Sequence, residues 1–249
     1  MRLFVLYGFG ILLCVSGIVY LSVEYLKYLS FIIPPLLAFL VYLYLRYRFS
    51  QFSYSLLFKS FLWGMASILL VIAIQLIANG MGLDKLTSMR RLLFYALVIS
   101  SFFAEFGKYI VLRGIIYKNP EFKTPVDGII FSIMVSMGFA TMNNFFYFIN
   151  IPDLSVNFPN ALTAGPANVI FGAMMGFFIG LGKLRKMRLV DSMTGLAAAV
   201  FFHGLYSFCL LTRDYRLLWA FFIGSAIIAV SLGIAALRIH IDAKQEERF

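Results

Sequence analysis

Glu105 and Lys108 lie three residues apart within an otherwise apolar run, a spacing that puts both on one face of a helix. A carboxylate held there can bind or activate a water while the ammonium tunes it. The same pair can also be a structural ion pair that avoids a bare buried charge, or Lys108 can extend toward the Arg113 side. Asn143 and Asn144 are adjacent in the next apolar run and point about 100° apart on a helix, so they do not share one partner. One can hydrogen-bond across helices while the other satisfies backbone or substrate. Asn168 begins a stripe at intervals of four, continued by Gly172, Gly176 and Gly180, where small residues let a second backbone approach. Gly195, Ala199, His203 and Ser207 repeat the device and set His203 over a small-residue groove, one turn from Ser207. His203 can pack, donate to an oxyanion, act as a general base or ligate a metal. His240, at the end of the last helix, is assigned no role.

Zinc needs three or four nitrogen, sulfur or carboxylate ligands. Of the groups set out above only Glu105 and His203 are such ligands, and amides are poor ones, so a metal ion is weakly supported and no cofactor is expected. Cys14 and Cys209 both sit in apolar segments and argue for neither a disulfide framework nor a metal cluster.

These polar groups must be positioned by helices within a bilayer. Of 249 residues 62% are hydrophobic and 13% charged, and mean hydropathy is +0.91, more apolar surface than a soluble domain can hide. The net charge of +10 therefore speaks for loops near anionic lipid and not for nucleic acid. A span needs ~20 apolar residues, and eight stretches qualify: about Leu3–Leu21, Leu26–Leu45, Leu56–Ala78, Leu92–Tyr117, Gly128–Ile149, Ala161–Leu181, Val190–Leu211 and Leu217–Ile241. The first reads as an uncleaved helix, because it lacks a clear small-residue cleavage site. Pro34-Pro35 should kink or break the second. The tail from Asp242 is polar and should fray.

The fold expected is an all-α polytopic bundle of about eight transmembrane helices forming one domain over residues 1–249. Within it, 1–88 supply N-terminal helices, 89–212 the core, and 213–249 the last helix and tail. Lys and Arg divide about fourteen against six between the two faces, which places both termini in the cytoplasm. The loop Ile151–Asn160, without a basic residue, suits the outer face. At ~1.5 Å per residue, Glu105 lies about 18 Å from Tyr117, Asn143 about 22 Å from Gly128 and His203 about 20 Å from Val190. All three then fall in one layer, which Asn168 reaches from the other side, about 10 Å below Ala161.

Four blocks in order carry a family resemblance. The run EFKTPVDGIIFSIMVSMGFATMNNFFYF resembles the signature region of the PrsW family of intramembrane proteases. AEFGKY at Ala104–Tyr109 resembles that family's Glu-Glu-x-x-Lys motif. PANVIFGAMMGFFIGLGK resembles its Pro-Gly-His helix, and FFHGLYS its last histidine motif. The family is similar to the glutamate-dependent membrane proteases that include CAAX-processing enzymes. Three positions depart from the pattern: Ala104 and Asn143 stand where the family has Glu, and Asn168 where it has His. Glu105, Lys108, Asn144 and His203 are retained, and Ser207 stands where relatives often carry Asn or Asp.

The resemblance implies peptide-bond hydrolysis in a membrane-spanning or juxtamembrane client, such as an anti-sigma factor, at a bacterial plasma membrane. By the resemblance the water-activating carboxylate stands at position 104 and its partner histidine at 168, both replaced here by Ala104 and Asn168. In a shifted site Glu105 would be the base or water ligand, His203 the donor polarising the carbonyl and Lys108 the group tuning Glu105. Asn143, Asn144, Asn168 and Ser207 would position substrate. The three departures equally allow a non-catalytic pseudoprotease that binds a single-span membrane client in the same cavity. A small-solute transporter is a third class, against which the four ordered blocks count.

Overall fold

The computed structural model describes residues 23–48, 53–150, 158–185 and 187–246, nearly all of them helical. The expected first span, Leu3–Leu21, lies outside the described residues, as does most of the loop Ile151–Asn160. Among the described residues six helical stretches are long and apolar enough to cross a membrane: Tyr54–Gly80, Met89–Lys118, Pro125–Phe146, Thr163–Leu184, Arg188–Thr212 and Tyr215–Asp242. They coincide with the last six expected spans. The all-α membrane bundle is thus as expected, and the described part accounts for six of its eight proposed crossings.

Helix α1 is Val23–Arg48 and runs through Pro34 and Pro35 without breaking. Its prolines are held from outside, since Ile33, Leu37 and Pro34 lie against Gly165 on a neighbouring helix, and neighbouring helices in a membrane tolerate such interruptions. The third expected span is two helices, α2 (Tyr54–Ala66) and α3 (Ile68–Gly80), joined at Ser67. The Ser67 hydroxyl donates to the Gly64 carbonyl at 2.6 Å, a local bond that competes with the regular ladder. The fourth expected span is likewise composite. It opens with α4 (Met89–Phe94), widens into a π-helical stretch at Tyr95–Phe102, and continues as α5 (Phe103–Gly114) and a single 3₁₀ turn, Ile116–Lys118.

Four long helices complete the bundle: α6 (Pro125–Asn150), α7 (Phe158–Leu184), α8 (Arg188–Thr212) and α9 (Tyr215–Glu246). The polar tail expected from Asp242 continues α9 as far as Glu246. Helices α6 and α7 are the most buried spans, and α9 is the least buried. The centre is packed from Phe131, Val135 and Met137 of α6 and Phe171, Met174 and Met175 of α7, all buried.

The small-residue stripe on α7 explains why the centre is so tight. A side chain at Gly128 of α6 would run into the Gly176 carbonyl of α7, and one at Gly176 would meet the Gly128 carbonyl. The two backbones touch where neither residue has a β-carbon. A side chain at Gly195 of α8 would come within 2.8 Å of the Met175 carbonyl, so α8 packs closely on the other side of α7. This layering of α6, α7 and α8, with α5 beside them, brings the polar residues together.

Candidate active site

Helix α5 is the strongly two-faced element of the bundle, with Ala104, Glu105, Gly107, Lys108, Val111 and Leu112 buried. Its three-residue offset puts Glu105 and Lys108 over one another. The Lys108 ammonium donates to Glu105 Oε1 at 2.6 Å, with both side chains essentially fully buried, at 1% and 0% exposure. The same ammonium donates to Asn168 Oδ1 of α7 at 3.0 Å and lies 5.0 Å from the centre of the Phe139 ring of α6. Two oxygens and an aromatic face thus surround a cation that would otherwise be stranded. The Asn168 amide is turned by its own helix, since Nδ2 donates to the Ala164 carbonyl at 2.9 Å and leaves Oδ1 for Lys108.

His203 reaches the cluster from α8. Its Nδ1 lies 2.7 Å from Glu105 Oε1, the oxygen that also receives Lys108. A proton on Nδ1 donated to the carboxylate leaves the lone pair on Nε2. The ring is held by stacking on Phe171 of α7, with centroids 5.0 Å apart and planes within 15°. Its side chain is 11% exposed, the most accessible group of the cluster. Glu105 Oε2 is buried and has no hydrogen-bond partner among the described residues. A buried carboxylate oxygen is costly to leave bare, so a water or a substrate N–H belongs there.

The remaining expected site residues divide. Asn144 is buried and engaged in contacts of its own, while Asn143 is half-buried on the neighbouring face of α6. Ser207, one turn beyond His203, lies 3.2 Å from the Ser101 hydroxyl and 3.4 Å from that of Ser100, so it ties α8 to the π-helical stretch. Ala104 is buried against Ile68, Val71 and Phe139. Position 104 therefore faces an apolar cluster, about 100° around α5 from Glu105.

Phe171, Phe139 and the π-helical stretch are parts of the site that the sequence reading did not single out. Phe171 follows Asn168 by three residues and was open to the same helical-face argument. Phe139 and the π stretch carried no comparable signal, because an aromatic residue and a wide turn in an apolar run look like the rest of it.

Residues 53–237 match the family described as PrsW family intramembrane metalloprotease. Protease PrsW of Geobacillus kaustophilus is 29% identical over 207 residues, covering 83% of this chain and 87% of the relative. Protease PrsW of Halalkalibacterium halodurans is 31% identical over 185 residues, covering 72% and 81%. Protease PrsW of Bacillus subtilis is 28% identical over 180 residues, covering 72% and 80%. No solved structure matches the chain.

The family description names a metalloprotease, which the side chains here can be tested against. Catalytic zinc takes three protein ligands and an open position. Among the described residues no three His, Cys, Asp or Glu side chains gather. The cluster offers one carboxylate, whose Oε1 already receives the Lys108 ammonium, and one imidazole, short of three ligands. The donor set does not fit a metal ion.

Proposed function

This chain belongs to the PrsW family of intramembrane metalloproteases, and from that premise we propose that it hydrolyses a peptide bond in a membrane-spanning client through a site shifted onto Glu105 and His203. The observation that carries this reading is the single oxygen, Glu105 Oε1, shared by His203 Nδ1 and the Lys108 ammonium. A carboxylate holding one ring nitrogen orients the other as a general base. His203 Nε2 then takes a proton from water as its oxygen attacks the scissile carbonyl carbon. The same proton passes to the departing amide nitrogen as the C–N bond breaks, giving a free carboxyl and a free amine. Lys108 holds Glu105 in place, and Glu105 Oε2 receives an N–H of the client or the attacking water. This exchanges the roles expected from sequence, in which Glu105 was the base and His203 the donor to the carbonyl.

The client in this reading is a single-span protein such as an anti-sigma factor. The chain sits in a bacterial plasma membrane with both termini cytoplasmic, an orientation supported by the excess of Lys and Arg on that face. In this reading Asn143 and Asn144 position the client, while Asn168 holds Lys108.

A second reading has its own observation. Ala104 packs into an apolar cluster, and the Asn168 amide is used in holding Lys108, so two positions at which the family carries ionisable groups take no part in proton transfer here. That favours a pseudoprotease that binds the client without cutting it. Reconstituted wild type, Glu105→Gln and His203→Ala proteins incubated with a panel of single-span substrates separate the two. Cleavage by wild type that either substitution abolishes supports the shifted site. A client crosslinked at the cluster and left intact by wild type supports the binder.

A further inference from the structure

Helices α2 and α6 touch backbone to backbone, since a β-carbon at Gly64 or at Gly138 would run into the other helix. Beyond Ser67 the packing changes. The start of α3 rests on α5, where a β-carbon at Gly107 would come within 3.0 Å of the Ser67 carbonyl. Towards α6 it presents a small apolar cluster, in which Ile68 and Val71 meet Ala104 of α5 and Phe139 of α6. One span separates Tyr54–Gly80 from Pro125–Phe146, so α3 and α6 cross the membrane in the same direction.

One turn beyond that cluster each of the two helices carries an amide. Gln75 follows Val71 by four residues and Asn143 follows Phe139 by four. Each therefore lies on the cluster's face of its own helix, ~6 Å further along. Both are half-buried, and neither hydrogen-bonds to another described residue. Asn144 and Asn168, by contrast, are buried and engaged. The reverse face of α3 is apolar and open, with Leu69, Leu76 and Ile77 exposed. An unpaired amide within a span is costly and points to a partner. The cluster beneath the two amides leads into the Glu105 site: Ala104 adjoins Glu105, and the Phe139 ring centre lies 5.0 Å from the Lys108 ammonium.

A partner for such amides in hydrocarbon is a peptide backbone whose own hydrogen bonds are broken. An intact client helix satisfies its N–H and C=O groups internally and offers nothing to a side-chain amide. A segment opened for hydrolysis exposes both, and an amide side chain donates and accepts. We propose that Gln75 and Asn143 bind the unwound backbone of the client in a groove between α3 and α6, one turn from the layer of Ala104 and Phe139. This role rests on the reading that the chain takes a single-span client, and it holds whether that client is cut or only held. Gln75 becomes a client-binding residue, and the client carries a helix-breaking residue in the part of its span that the groove receives.

The test co-reconstitutes the donor-labelled full chain with acceptor-labelled single-span peptides in phosphatidylcholine vesicles and reads binding by energy transfer as peptide density rises. One peptide is a continuous Leu-Ala helix and the other has Gly-Pro at its centre. Wild type should hold the Gly-Pro peptide about tenfold more tightly, and Gln75→Leu and Asn143→Leu should each lose about that factor, the size of one or two hydrogen bonds. Neither variant should change the affinity for the continuous helix. Should Asn143→Leu fail to fold, Gln75→Met, at a half-buried position, carries the test alone. Gln75→Cys should form a disulfide with a peptide bearing cysteine beside Gly-Pro, and Trp219→Cys on α9 should not. Equal affinity of wild type for the two peptides, or unchanged affinity for the Gly-Pro peptide in the variants, overturns the groove. Client cleavage that Glu105→Gln abolishes, with KM unchanged in Gln75→Leu, also overturns it and leaves the proposed hydrolysis standing.

Discussion

The imidazole of His203 and the carboxylate of Glu105 meet at 2.7 Å across two helices, ninety-eight residues apart in sequence. Among the described residues the other ionisable partner in reach is Lys108, which binds the same oxygen. One carboxylate oxygen thus joins α5 to α8, while Lys108 extends the connection to α7 through Asn168.

Removing that carboxylate should cost stability as well as activity. Glu105→Ala strands the buried Lys108 ammonium, and breaking a buried ion pair from one side costs about 3–5 kcal/mol. Glu105→Gln keeps an acceptor for Lys108 and should lose less. Thermal unfolding of both variants in detergent checks the order; equal losses would mean that the pair contributes no net charge interaction.

His203→Ala should lower cleavage by about 10²–10⁴-fold, the usual contribution of a positioned acid or base. His203→Phe should keep the stacking on Phe171 and yet lose cleavage equally. A single-turnover assay with a client that wild type cuts measures both. If His203→Phe retains activity, the ring serves packing alone.

Asn168→His restores the residue type of the family at that position but removes the amide oxygen that accepts from Lys108. Alone it should destabilise the fold. Combined with Ala104→Glu and Asn143→Glu it should raise cleavage if the scaffold is an intact protease with substituted groups. Melting temperature and cleavage measured on the single and triple variants give the two answers separately.

Gly176→Leu should prevent the close approach of α6 and α7, because even a β-carbon there runs into the Gly128 carbonyl. Gly233→Leu, on α9 where an added β-carbon meets nothing within 4 Å, should be tolerated. Yield of monodisperse protein after solubilisation distinguishes them, and similar yields would contradict the tight pairing.

How much of this was legible in the sequence follows from what each residue needs. The apolar length of the spans announced the bundle, and the interval of four at Gly172, Gly176 and Gly180 announced the face that α6 packs against. The depth estimate brought Glu105, Asn168 and His203 to one layer, where they meet. It could not say that Ser207 turns to Ser100 and Ser101, because those serines come within reach only where α4 widens into a π-helical turn. Nor could it foresee that α1 stays whole through Pro34 and Pro35, which depends on the neighbouring helix at Gly165.

That π-helical stretch has a consequence for how the chain can change by insertion and deletion. It ends at Phe102, and Ala104 and Glu105 follow closely, about 100° apart around α5. A wide turn holds a surplus residue relative to an α-helix. Deleting one residue between Tyr95 and Phe102 would turn the following helix by about 100° relative to what precedes it. On α8, Ser207 grips the wide turn while His203, four residues earlier, grips Glu105. The two contacts act as a phase lock between the segments. A lineage that lost the surplus residue would present a different neighbour of the Ala104–Glu105 pair to the imidazole with no substitution at either position.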